Sequence, residues 1–334
     1  MAETANISTM GELVFNRIFN FFGWKRIGPT NKNFVCLSRD AHKNITHPTD
    51  IVFHSTNPYT GQENYLNVDL KSYSAKSITR IAIVEAINNL AKAVECAKIS
   101  EDWKKNYTLQ TSNVEISGLL FIYNHDATFD HDLDSLLAKI TEDELFIPKG
   151  VCIYVMGPKQ IAYLLTVVNS IRINKSIPED YKFYYPNLIL TKAASVWHDS
   201  ASLETLVGPF QVLSYRSQIE ISQKRPAIID NHILFYNGSG TIGEEFKYLM
   251  DFLFRFQIVG RGQVVTISMP TNGKSEIALF ENAKQEYFQY YFRGFDDRPE
   301  IVAEKGNISF REINEIQLKF SADNIGMKDR SQHV

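Results

Sequence analysis

A chain of 334 residues with 44% apolar and 22% charged residues has the composition of an ordinary globular protein and room for two domains. Its net charge of −3 excludes a global attraction to nucleic acid, so any such binding has to come from a local patch. Cys36, Cys96 and Cys152 show no C-x-x-C spacing and read as reduced core thiols rather than a disulfide frame or a zinc site, which points to the cytoplasm.

The start, Met1-Ala2-Glu3-Thr4, is polar and reads as no signal peptide. The most apolar helix-like stretch, Ile161 to Ile171, is too short to span a bilayer, so no membrane is expected. Thr9-Met10-Gly11-Glu12 has the pattern of a capping box, and the helix behind it should carry Leu13 to Phe22 and stop near Gly23. A strand at about Asn33 to Leu37 and a polar loop from Ser38 to Thr46 follow.

Next come two strands. Asp50 opens the first (Asp50 to Phe53) after Pro48, which favours extended backbone before it. Tyr65, Leu66, Val68 and Leu70 mark the second, where a period of two puts Asp69 and Lys71 on one face. The turn formers Asn57 to Gln62 fold the pair into a hairpin. That would gather two aspartates and a lysine at one end of a sheet, as a metal site requires. From Ser77 to Lys98 apolar residues recur at three and four, predicting a long amphipathic helix.

After a polar linker, Gly118 to Tyr123 and Val151 to Met156 read as buried strands, Leu133 to Ile140 as a short helix, and Pro158 to Ile171 as a longer one. Leu188 to Leu190 reads as another strand. The stretch from Ser200 to Pro226 reads as a connection with one strand, Phe210 to Leu213. A second α/β unit then begins: strand His232 to Tyr236, helix Glu244 to Phe256, strand Val264 to Ser268, helix Ser275 to Phe292. Short strands are expected at Glu300 to Ala303 and Ile316 to Phe320, and a loose tail from Asp323. The fold class is therefore α/β: a mixed central sheet flanked by helices, with a second, smaller α/β domain. The expected division is a domain over residues 1–200, a connection over 201–226, and a C-terminal domain over 227–334.

The order of features is Glu12 on the first helix, Pro48-Thr49-Asp50 leading into a strand, Asp69-Leu70-Lys71 on the next strand, then a long helix. In this the chain resembles the PD-(D/E)xK nuclease superfamily, with its restriction-endonuclease-like core, over the first half to three-fifths of its length. A threonine separates Pro48 from Asp50, and the second half of the motif uses Asp in place of the commoner Glu. The resemblance implies a metal-dependent DNA endonuclease that hydrolyses phosphodiesters with water and serves prokaryotic restriction or anti-phage defence. It also implies control by a helicase or ATPase partner or by homo-oligomerisation. Cleaving a phosphodiester needs charge neutralisation and an activated water. Asp50, Asp69 and the backbone carbonyl of Leu70 would be the hard oxygen ligands of Mg²⁺ or Mn²⁺. Lys71 would orient the water and stabilise developing charge, and Glu12 would complete the outer shell or hold a second ion. Lys76 and Arg80, just beyond, are candidates for phosphate contact.

Plainer readings exist for each residue. Asp69 and Lys71 fit an exposed pair on an edge strand, Glu12 a helix cap, Asp50 a turn. Glu85 reads as helix surface. Gly238 to Gly243 matches G-x-G-x-x-G between a strand and a helix, which supports an alternative, a non-catalytic nucleotide- or partner-binding sensor. No acidic residue ends the next strand, however, so a ligand-free tight turn is the better reading. The acids Asp126, Asp130, Asp132 and Asp134 lack the glycine and glutamate of a calcium loop and read as a polar loop capping the helix at Leu133. Tyr287 to Phe292 reads as a helix core face and a candidate partner surface.

Overall fold

The computed structural model describes residues 2–109, 114–186, 196–220, 226–260, 262–270, 275–295 and 297–314. They divide into two compact units, one ending at Leu165 and the other beginning at Thr166.

The first unit opens with α1 (Ala2–Phe21), whose Val14, Phe15, Ile18 and Phe19 are buried. No breaker precedes Thr9, so the helix runs back to Ala2 and the expected capping box is absent; Glu12 lies inside the helix with its carboxylate not spent on a cap. Next in the chain are β1 (Lys25–Ile27), β2 (Lys32–Val35), a short helix α2 (Arg39–His42) and β3 (Thr46–Thr49). α2 lies within what reads as a polar loop, and β3 begins at that loop's last residue. Then come β4 (Ile51–Thr56) and β5 (Glu63–Tyr73), joined as expected by a hairpin. Asn57 closes it by accepting from the Tyr59 and Thr60 amides, and Gly61 takes the left-handed conformation, at φ +66°, that the turn requires.

The long helix α3 (Arg80–Ile99) is capped by Thr79, which accepts from the Ala82 amide. The expected polar linker holds α4 (Glu101–Tyr107), capped by Ser100 and anchored by the buried Trp103 and Tyr107. In seven residues, two large rings decide that this segment packs rather than links. The unit continues with β6 (Val114–Asn124), α5 (Leu133–Leu137), β7 (Ile153–Met156) and α6 (Pro158–Ile173), within which the two units meet in sequence.

The main sheet of this unit has the order β1-β4-β5-β6-β7. Its β1-β4 and β4-β5 pairs are antiparallel, its β5-β6 and β6-β7 pairs parallel. β6 is buried without a break from Ile116 to Asn124, as expected for a central strand covered on both faces. On one face Phe15 of α1 packs edge-on against Phe53 and Phe121 at 4.6 and 4.8 Å. On the other, α3 sets Leu90 and Val94 over Gly118, where an added Cβ would lie 3.0 Å from each. β2 and β3 form a separate two-stranded sheet.

The second unit contains β8 (Lys182–Tyr185), β9 (Val196–His198), α7 (Leu203–Val207), β10 (Phe210–Glu220) and β11 (Pro226–Tyr236). It continues with α8 (Gly243–Arg255), β12 (Gln263–Pro270), α9 (Ser275–Tyr291), α10 (Pro299–Gly306) and β13 (Ile308–Ile313). Its sheet order is β13-β12-β11-β10-β8-β9, parallel across β11-β12-β13 and antiparallel elsewhere. Phe246, Leu249, Met250 and Leu253 of α8 meet Phe280, Ala283 and Phe288 of α9 in its core.

The supposed connection over 201–226 holds α7 and the whole of β10, which pairs with β11 from Phe210 to Glu220. That long ladder, not apolar periodicity, makes it a strand. Glu300 to Ala303 is helical rather than extended, started by Pro299 at a first helical position, where a missing N–H costs nothing. Leu188 to Leu190, Ile316 to Phe320 and the tail from Asp323 lie outside the described residues. No described helix is long and apolar enough to cross a membrane.

Candidate active site

The β4-β5 ladder ends at the pair Ile51 and Val68; one step further along the same register, Asp50 faces Asp69. Asp50 lies between β3 and β4, where its carbonyl accepts from the Asn31 amide at 2.9 Å and its Oδ2 accepts from the Leu70 amide at 2.9 Å. The N–H and C=O of one strand residue point to the same edge, so the Leu70 carbonyl also looks toward the space β4 has vacated.

Asp69 is 16% exposed and Lys71 32%, with Lys71 Nζ 2.8 Å from Asp69 Oδ1. Burial pushes the Asp69 carboxyl above its ordinary range, Lys71 pulls it back, and the Asp50 carboxyl, which shares a hydrogen bond with it, pushes it up again. Burial works to lower the Lys71 ammonium, but Asp69 beside it, with Tyr73 and Asp50, outweighs burial and leaves it above the usual lysine value. Lys71 is therefore a fixed positive charge at neutral pH.

The structure brings together Asp50, Asp69 and Lys71, with the Leu70 backbone between them. Glu12 is not joined to them by a hydrogen bond or ion pair among the described residues. Odd-numbered β5 residues face α3, whereas Leu70 points to the α1 face, where Gly11 packs 3.5 Å from its side chain. Glu12 is half-buried, next to that Gly11. Arg80 is held by Glu144, while Lys76 is exposed.

The period that links Asp69 to Lys71 puts two more residues on the same face. Tyr73, two residues on, is pushed up by burial, drawn down by Lys71 and raised by Asp69 and by Glu85 across on α3. Asn67, two residues back, is 1% exposed, and neither its amide nitrogen nor its oxygen has a hydrogen-bond partner among the described residues.

The competing motifs are occupied by the protein itself. In the glycine-rich turn between β11 and α8, the Glu245 carboxylate sits where a phosphate would, accepting from the Gly240 amide at 2.9 Å, the Ser239 hydroxyl at 3.0 Å and the Tyr236 hydroxyl. Gly238 is needed for close approach: a Cβ there would lie 2.1 Å from Glu245 and Tyr236. Asp132 caps α5 and Asp126 accepts from the Ala75 and Thr128 amides, so those acids serve the loop, as expected.

Residues 1–160, just under half of the chain, match the family model described as GAPS4 protein PD-(D/E)XK nuclease domain. No curated protein and no solved structure shows a significant match.

Proposed function

Taking as premise that residues 1–160 form a PD-(D/E)XK nuclease domain, we propose that the chain is a metal-dependent DNA endonuclease of anti-phage defence, with Asp50, Asp69 and Lys71 as its catalytic residues. The observation that carries this is the ladder position setting Asp50 against Asp69 with the Lys71 ammonium 2.8 Å from the latter. Burial and the neighbouring Asp50 carboxylate raise the proton affinity of Asp69, and a hard divalent cation is the charge that relieves this. The donor set fits Mg²⁺ or Mn²⁺, with Asp50, Asp69 and the Leu70 carbonyl as the holding groups. Such an ion supplies positive charge at the scissile phosphate and acidifies a water.

The chain's own groups do the rest. The Leu70 amide fixes the Asp50 carboxylate in orientation, and the ladder fixes its distance from Asp69. Lys71, permanently charged, hydrogen-bonds the attacking water and stabilises the charge that develops on the phosphoryl oxygens. Tyr73 stays protonated and is a donor on the same face. With a net charge of −3 the protein binds DNA weakly by itself. Control by a helicase or ATPase partner, or by a second copy, that presents the substrate is what the family resemblance implies, and the modest charge fits it.

The test compares wild type, Asp69→Ala and Lys71→Ala on plasmid and linear DNA in Mg²⁺, Mn²⁺ and EDTA. Cleavage that needs the metal and is lost in both variants is expected. Cleavage that survives both substitutions rules out the assignment.

A further inference from the structure

Four side chains that the nuclease chemistry does not use converge in the core of the first unit. Cys36 follows β2, His42 closes α2, His47 lies on β3, and Cys96 sits in the last turn of α3. Each is 1% exposed or less. His42 Nδ1 is 3.5 Å from each sulfur and 3.3 Å from His47 Nε2. The two sulfurs are 3.9 Å apart, and all four ligand atoms lie within 4.8 Å of one another.

Hydrogen bonding does not account for this convergence. An imidazole nitrogen carries either one proton or one lone pair, so Nδ1 satisfies one neighbour, not three. A tetrahedral zinc ion does account for it. With Zn–S about 2.3 Å and Zn–N about 2.05 Å, the edges of the tetrahedron are about 3.8 Å for S–S, about 3.6 Å for S–N and about 3.3 Å for N–N. The S–S, both His42 S–N and the N–N separations reproduce those lengths.

The surroundings agree. His42 Nε2 lies 2.6 Å from Glu95 Oε2, so its N–H is donated to a carboxylate and the Nδ1 lone pair is left facing the cluster. That carboxylate–histidine relay is the usual support of a metal-bound imidazole. The His42-x₄-His47 spacing also falls within the range of known zinc modules.

We propose that Cys36, His42, His47 and Cys96 bind one zinc ion as a closed, structural Cys₂His₂ site. This stands independently of the nuclease assignment, since thiolates and imidazoles select zinc where the paired aspartates select hard cations. Its task is mechanical. A two-stranded sheet such as β2-β3 is marginal alone, and the ion ties it to α3. β3 runs through Thr49, which accepts from the Trp103 indole at 3.2 Å, directly into Asp50.

The experiment is metal analysis of the full chain purified without added metal and then dialysed against EDTA, together with the absorption spectrum after cobalt substitution. Equimolar zinc is expected to survive the dialysis that strips magnesium. Cobalt should give the intense visible bands of a tetrahedral ion with a sulfur-to-cobalt charge-transfer band. Cys96→Ser and His47→Ala should lose the zinc, and Asp69→Ala should keep it. Wild-type measurements decide the matter even where a cysteine variant does not fold. Zinc far below equimolar after refolding with zinc present, iron in its place, a weak octahedral cobalt spectrum, or a folded Cys96→Ser protein with full zinc would each overturn the proposal.

Discussion

Lys71→Met removes the cation beside Asp69 while keeping most of the aliphatic volume. Lys71 and Asp69 are 32% and 16% exposed. Their pair therefore falls between exposed ion pairs, worth roughly 0–1 kcal/mol, and buried ones, whose disruption costs roughly 3–5 kcal/mol. A loss of about 1–2 kcal/mol in urea denaturation at pH 7 is expected. The sign follows from the raised lysine value: the stabilisation is fully present below the unfolded lysine value and is lost only as pH rises through the higher folded one. Without Lys71, Asp50 and Asp69 face each other uncompensated, so Asp50→Asn in the Lys71→Met background should restore stability, and the two changes should be non-additive. Plasmid cleavage in Mg²⁺ should fall about 10²–10³-fold, the usual cost of removing one donor aimed at developing charge. Cleavage within a few-fold of wild type, or an Asp50→Asn change that further destabilises the Lys71→Met protein, would refute this account of the site.

Other expectations follow from the same geometry. His232, 2% exposed and paired through Nδ1 with the Ser214 hydroxyl at 2.6 Å, has its pKa lowered to about 4, chiefly by burial. The unfolded chain then binds a proton between about pH 6.5 and 4 that the native state refuses. Stability of the second unit should fall through that window by on the order of 3 kcal/mol, and His232→Asn should flatten the slope in a pH series of thermal melts. Glu245→Ala orphans three donors of the glycine-rich turn and should cost about 1–3 kcal/mol; an unchanged melting temperature would contradict the filled-turn reading, and so would saturable calorimetric binding of ATP or NAD by wild type. Gly118→Val drives a branched side chain into Leu90, Val94 and Ile153, whose atoms lie 2.7–3.0 Å from the first added carbon. It should cost about 1–3 kcal/mol by denaturant titration.

Local pattern sufficed for the hairpin and for the meeting of its charged residues. Asn57 to Gln62 could only turn, alternation fixed the shared face of Asp69 and Lys71, and antiparallel register then put Asp50 opposite Asp69. What pattern could not reach depends on distance along the chain. Glu12 shares a helix signature with the motif's element order, but which sheet face α1 covers is decided by Phe15 against Phe53 and Phe121, contacts invisible in α1 alone. β10 has a weak period and became an eleven-residue strand because β11 pairs with all of it. Glu245 fills the turn that looked ready for a phosphate because α8 begins just there. Cys36, His42 and His47 lie close in sequence, but Cys96 is brought to them only when α3 packs across the sheet. A cysteine that reads as a core thiol in sequence joins, in the folded chain, a cluster of four ligand atoms within 4.8 Å of one another. Side-chain direction within an element follows from backbone period, whereas the partner of an element is chosen by burying apolar surface between segments far apart in the chain.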